Sequence, residues 1–160
     1  MSIDYGEMDH ARFKRAALVE AERAMTEGER PIGAVVVHED RIVGRGRAQH
    51  HDRESKIAHA EMNALLDAER YLAVHRHQCV VYTTVEPCVM CLGAVVMSDI
   101  DAVVYALADN WIAPKQMLEI PYVRRHLSYY VGGVLEAESA ALWERANPRE
   151  LALLRTGIRS

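Results

Sequence analysis

With 160 residues, 50% of them hydrophobic and 26% charged, the chain is one domain's worth, large enough to bury a core without disulfides. A formal net charge of -4 and a pI near 6.1 carry no nucleic-acid or membrane-surface signature. The polar, acidic start "MSIDYGEMDH" is neither a signal nor a transit peptide, and no apolar run approaches a membrane span. Three cysteines without an export signal fit a reduced cytoplasm, so a cytoplasmic location with no membrane contact is expected.

In chain order, residues 9–28 predict an amphipathic helix, with Asp9 as N-cap, Gly28 as stop, and Phe13, Ala16, Ala17, Ala24 and Met25 near one face. "IGAVVVHEDRIVGRGRA" predicts a β-hairpin around the turn His38–Glu39–Asp40, followed by the polar loop "QHHDRESKI". Residues 59–72 predict a helix with Met62, Leu65, Leu66 and Leu72 facing the core. "CVVYTTV" reads as a buried strand. Pro87 fits the first position of the apolar helix that follows it, and "IDAVVYAL" is another strand. Between Asp109 and Gly133, Pro114 and Pro121 break the pattern into loops and short helices. "VGGVL" fits a last short strand, and 136–155 a closing helix interrupted near Pro148. Strands alternating with helices predict an α/β fold, a three-layer α/β/α sandwich whose mixed sheet opens with a hairpin.

The chemistry concentrates at two helix starts. His59 and Glu61 lie at one, Cys88 and Cys91 at the other, and the two cysteines, three apart, share a helix face. One imidazole and two thiolates form a ligand set that zinc accepts, and helix N-termini favour thiolates. With an open fourth position the site would be catalytic, and Glu61 is the candidate to take and return protons. Two other readings stay open on residue types alone. One is a redox cysteine pair, which explains neither His59 nor Glu61. The other is a structural zinc knot closed by Cys79, His75 or His77, although Cys79 reads as core and the two histidines as solvated loop.

"HAE" at 59–61 followed by "PCVMC" at 87–91 resembles the H-x-E…P-C-x-x-C signature of the zinc-dependent cytidine deaminase-like superfamily. "RPIGAVVV", "AHAEMNAL", "YTTVEPCVMCLGAVVMSDID" and "GGVLEAESAALW" are similar to segments of bacterial tRNA adenosine deaminases and of related guanine and cytosine deaminases. The resemblance covers roughly residues 9–143 and is weakest over 107–131. It implies a single CMP/dCMP deaminase-type domain over 1–160 and a central five-stranded sheet. It also implies one zinc ion per chain on His59, Cys88 and Cys91, Glu61 as the catalytic proton shuttle, and a homodimer or higher homo-oligomer. The reaction implied is hydrolytic deamination, with release of ammonia.

Two departures bear on the substrate. Ala48, in "GRGRAQ", stands where tRNA- and guanine-type members have a base-contacting Asn. After "YALAD" the chain reads "NWIAPKQM" rather than the Lys-Thr-Gly-Ala-like loop of tRNA adenosine deaminases, and the closing helix is not basic. The expected substrate is therefore a free nucleobase, nucleoside or related aminated heterocycle. A tRNA adenosine is the alternative, and a non-catalytic zinc-stabilised binding module is the reading from another class. Candidate substrate contacts are Ala48, Asn63, Asp109 and Trp111; helix surface for Asn63, turn capping for Asp109 and core packing for Trp111 are the plain readings. Arg41, Arg45, Arg47, Arg53 and Lys56 cluster, most simply as a solvated strand face and loop. Tyr122, Tyr129, Tyr130, Arg124, Arg125 and His126 form a polar-aromatic patch read first as an oligomer contact and second as a lid.

Overall fold

The computed structural model describes residues 3–75 and 77–159. Helix α1 (His10–Thr26) starts where the Asp9 side chain accepts a hydrogen bond from Arg12 N at 3.0 Å, and the chain leaves it through Gly28 at φ 82°. Strands β1 (Gly33–His38) and β2 (Arg41–Arg47) form the expected hairpin. Glu39 and Asp40 both take positive φ, 47° and 58°, so the turn's twist matches that of the strands. The register shifts after Val36, which pairs with Gly44 while Val37 pairs with Ile42. Val43 is thus the extra residue of a bulge.

The remaining strands are β3 (Cys79–Val85), β4 (Ala102–Leu107) and β5 (Tyr129–Val131), in the order β2-β1-β3-β4-β5. β1 runs antiparallel to β2 and β3, while β3, β4 and β5 are parallel. The result is the mixed five-stranded sheet of an α/β fold. Every residue of β1, β3 and β4 is buried, because helices cover both faces. Val35, Val37, Val80, Tyr82 and Val104 pack on Phe13 and Ala17 of α1. On the other face Ala34, Val36, Val81, Val103 and Tyr105 meet α2 (Ala60–Asp67), α3 (Glu69–Leu72) and α4 (Val89–Met97). A third apolar cluster caps the carboxyl ends of β3 and β4. There Val85 and Leu107 meet Trp143 of α6 (Glu136–Ala146) and Leu151 and Leu154 of α7 (Pro148–Thr156).

Glycine decides how closely α2 approaches the hairpin. A Cβ at Gly46 would collide with the backbone of Ala60 and Ala64, so the first turn of α2, with His59 just before it, lies directly on β2. Lys14 of α1 is wholly buried, and its Nζ donates to Thr83 O and Val104 O, each at 2.6 Å. That amine ties α1 to β3 and β4 just below the end of the sheet where the cavity opens.

Several sequence expectations shift. The helix expected over 59–72 divides at Ala68, where Asp67 turns to accept Arg45 N at 2.8 Å. The last strand is Tyr129–Val131 rather than "VGGVL", since Gly133 takes φ 86° and ends it. The polar-aromatic patch is not one surface. Tyr129 reaches His10 at 3.2 Å and Tyr130 reaches Glu86 at 2.9 Å, on opposite sides of β5, whereas Tyr122 stacks on His126 in α5 (Pro121–His126). In the basic cluster, Arg47 is paired with Glu27 through two hydrogen bonds. No helix among the described residues is long and apolar enough to cross a membrane.

Candidate active site

The two helix starts meet at the carboxyl end of the sheet. His59 is the N-cap of α2 and Cys88 the N-cap of α4. Pro87 thus precedes the cap instead of opening the helix: the cysteine takes the capping position because its sulfur accepts from Cys91 N at 3.5 Å. Cys88 Sγ lies 3.6 Å from His59 Nδ1, and the donor atoms of His59, Cys88 and Cys91 all lie within 4.8 Å of one another. Ligands bound at about 2.0–2.3 Å around one zinc stand roughly 3.5–4 Å apart, so the three side chains fit that ion with little adjustment.

The electrostatics suit a cation. The Cys88 thiol is pushed down to about 4, first by the hydrogen bond from Cys91 and then by His59. Cys91 is raised by holding that shared proton and by burial. His59 is raised chiefly by its contact with Cys88. Among the described residues this is the one cluster of three or more such side chains that could hold a metal. Neither Cys79 nor His75 joins it. Cys79 is buried in β3, its thiol pushed up to about 11 by burial, and His75 stacks on Tyr71 at 4.1 Å. Cys79→Ser is therefore expected to retain one zinc per chain and Cys91→Ser to lose it. Metal analysis after dialysis decides, and zinc lost from Cys79→Ser would refute the three-ligand assignment.

Glu61 lies in the first turn of α2, and burial raises its pKa, opposed in part by Thr83. Thr83 Oγ1 is 2.7 Å from Glu61 Oε1 and 3.1 Å from Val85 O. A hydroxyl carries one proton and two lone pairs. It can donate to an ionised Glu61, or donate to Val85 O while accepting from a protonated one. Thr83 therefore has a hydrogen bond for the carboxyl in either protonation state.

A cavity of about 270 Å³ opens over these residues, lined at its base by His59, Glu61, Val85 and Cys88. Ala48, Asp109 and Trp111 lie in its wall, and Asn63 does not. Asn63 is turned into the β2–α2 junction, donating to Arg47 O at 2.8 Å and accepting from Arg53 at 3.3 Å. Asp109 also caps its own turn, accepting from Trp111 N at 3.0 Å and Ile112 N at 2.9 Å. Glu86, buried beside the cysteines, fixes that wall. It accepts from Asp109 N at 2.9 Å and Tyr130 at 2.9 Å, with Lys115 Nζ 2.9 Å from Oε1 and 3.0 Å from Oε2.

Sequence reasoning missed the rest of the cavity: Arg30, His50, Trp143, Glu150, Leu154 and Arg159. These residues come from both ends of the chain, and no spacing links them. The one local hint was that "QHHD" puts a histidine two residues after Ala48.

Comparison with known proteins agrees with this geometry. The profile of the cytidine and deoxycytidylate deaminase zinc-binding region matches residues 7–107. A tRNA-specific adenosine deaminase of Bacillus subtilis (strain 168) is 35% identical over 138 residues, 81% of this chain and 83% of that protein. A solved structure from work on A-to-I editing by tRNA:A34 deaminases is 30% identical with a TM-score of 0.70, covering 82% of this chain and 98% of that one. Guanine deaminase from Bacillus subtilis is 34% identical with a TM-score of 0.57, over 61% of this chain and 64% of its own. Matched over most of its length and carrying the three converging metal ligands, the chain belongs to the cytidine and deoxycytidylate deaminase family and is a zinc-dependent hydrolytic deaminase.

Proposed function

We propose that the substrate is a free nucleobase, nucleoside or related aminated heterocycle. The observation that supports this reading most is the roof of the cavity. Asn110 holds α7 across the mouth, its N donating to Leu154 O at 2.9 Å and its Nδ2 to Arg155 O at 2.7 Å. Arg159 lies over the Trp111 ring at 5.2 Å, and Arg30 pairs with Glu150 at 2.7 Å across the rim. A cavity of about 270 Å³ suits a single ring system, whereas a base within an RNA loop brings flanking phosphates that call for several free cations along the approach, and Arg30 is already paired with Glu150.

Zinc, when bound to His59, Cys88 and Cys91, supplies the Lewis acidity that makes water a nucleophile near neutral pH. Glu61 receives one proton of the attacking water and passes it to the ring nitrogen, then takes the second from the hydroxyl left on the attacked carbon and gives it to the amine, which departs as ammonia, while Thr83 changes hydrogen-bond role with it. Ala48, Asp109 and Trp111 form walls against the ring.

A second reading, deamination of an adenosine within tRNA, is favoured by the relatives, since the Bacillus subtilis protein and the A34 deaminase structure act there. Ammonia release from purified protein given free bases, nucleosides, aminated triazines and, separately, tRNA separates the two. Turnover of tRNA alone would overturn the free-ring reading.

A homodimer is part of the proposal. Leu66 of α2 and Val89 and Met97 of α4 are exposed apolar residues on neighbouring helices, and a Cβ at Gly93 would meet nothing within 4 Å. A second copy covering this face would bury them. Sedimentation should give a dimer that Met97→Glu dissociates; a monomeric wild type would refute it.

A further inference from the structure

The wall at Ala48 offers a ring only a methyl group and backbone, so recognition by hydrogen bonding has to come from elsewhere. His50, two residues on, lines the same cavity. Its ring stands edge-on to that of His59, with centroids 4.8 Å apart. Its Nε2 is buried and has no hydrogen-bond partner among the described residues. Behind it lies Glu29, whose side chain is 1% exposed. Glu29 Oε1 accepts from His51 N at 2.7 Å and Asp52 N at 2.8 Å. Its other oxygen, Oε2, has no hydrogen-bond partner and lies 3.9 Å from His50 Nδ1. A fixed carboxylate on the Nδ1 side selects the tautomer with its proton there and leaves a lone pair on Nε2.

We infer that His50, oriented by Glu29, is a specificity-determining residue that accepts a ring N–H of the substrate at Nε2. The inference rests on the free-ring reading of the cavity and narrows it to heterocycles that keep a ring N–H. Cytosine and guanine qualify, as does adenine. An adenosine in RNA does not, because its N9 carries the ribose and no ring N–H remains. A buried acceptor left without its donor is costly, which is how a site rejects a near-isosteric analogue lacking that proton.

The test measures kcat/KM for ammonia release from cytosine, guanine and adenine against 1-methylcytosine, 1-methylguanine, 9-methylguanine and 9-methyladenine. Binding is followed in parallel by fluorescence of the two tryptophans, both of which line the cavity. The wild type should prefer a parent base over at least one methylated partner by about 10- to 100-fold. His50→Leu should reduce that ratio to near 1, mainly through KM, with zinc content and Tm held. His50→Gln, which keeps an acceptor, should restore part of it. Glu29→Gln, which can present a donor to Nδ1, should weaken the preference without touching the cavity. An unchanged ratio in His50→Leu, or a uniform loss of activity with loss of zinc, would show His50 to be only a wedge behind His59. If free bases turn over with that outcome, this inference fails alone; turnover of tRNA alone overturns the free-ring reading with it.

Discussion

Glu61→Ala should abolish ammonia release while leaving zinc content and fold intact. A positioned carboxyl acting as acid and base contributes about 10²- to 10⁴-fold, and here one group serves both the attack and the departure. The loss should therefore lie at the upper end of that range, in kcat rather than KM. Stability should change little. Glu61 is buried with burial favouring its protonated form, so truncation removes a desolvated carboxyl as well as one hydrogen bond. Thr83 keeps Val85 O as an acceptor at 3.1 Å, so no hydroxyl is stranded, and the net change should stay within about 1 kcal/mol. The carboxyl is not among the converging metal ligands, so metal analysis should still give one zinc per chain. A variant that loses zinc would assign Glu61 to the metal instead, and one that retains turnover would remove it from the reaction.

Lys14 carries the second large effect, on stability against pH. Burial holds its pKa well below the usual lysine range, only partly offset by attraction to Glu61. A neutral amine has two N–H groups, and two carbonyls receive them. Between the lowered folded-state pKa and the unfolded value near 10.5, the unfolded chain binds a proton that the folded one does not. Stability must then rise with pH through that window, by up to about 1.4 kcal/mol per pH unit from this group. Lys14→Met lacks the term and removes the amine's two hydrogen bonds to Thr83 O and Val104 O, at roughly 0.5–1.5 kcal/mol each. The wild type should thus lead the variant most near pH 10, the two converging as pH falls. Urea unfolding of both proteins from pH 7 to pH 10 reads the difference, in which the exposed lysines cancel. Parallel pH profiles would mean that Lys14 stays charged in the fold.

How much of this was legible beforehand depended on the range of the forces involved. "HAE" and "PCVMC" could be read because they resemble a known signature, and Asp9, the His38–Asp40 turn and Pro148 because capping and turn preferences are local. Small errors remained where two local options compete. Pro87 could open a helix or precede its cap, and the Cys88 sulfur decided for the second. The direction of Asn63 was not legible because it depends on Arg47 O, 16 residues away, and not on its own helix. Glu86 carried no sequence signal, because its partners Asp109, Lys115 and Tyr130 lie 23 to 44 residues on.

From its sequence alone the chain had its fold class, through the alternation of strand and helix patterns, while the ligand set His59, Cys88 and Cys91 and the candidate carboxylate Glu61 were marked by resemblance to the deaminase signature. Only the tertiary structure decided which groups line the cavity. It brought His50, Trp143 and Arg159 to one cavity, made Lys14 the most deeply held amine on a helix that otherwise reads as ordinary, and laid α7 across the mouth. Burial and facing are properties of surfaces meeting across the sheet, and side chains nearly a hundred residues apart share no pattern that one strand or helix can carry.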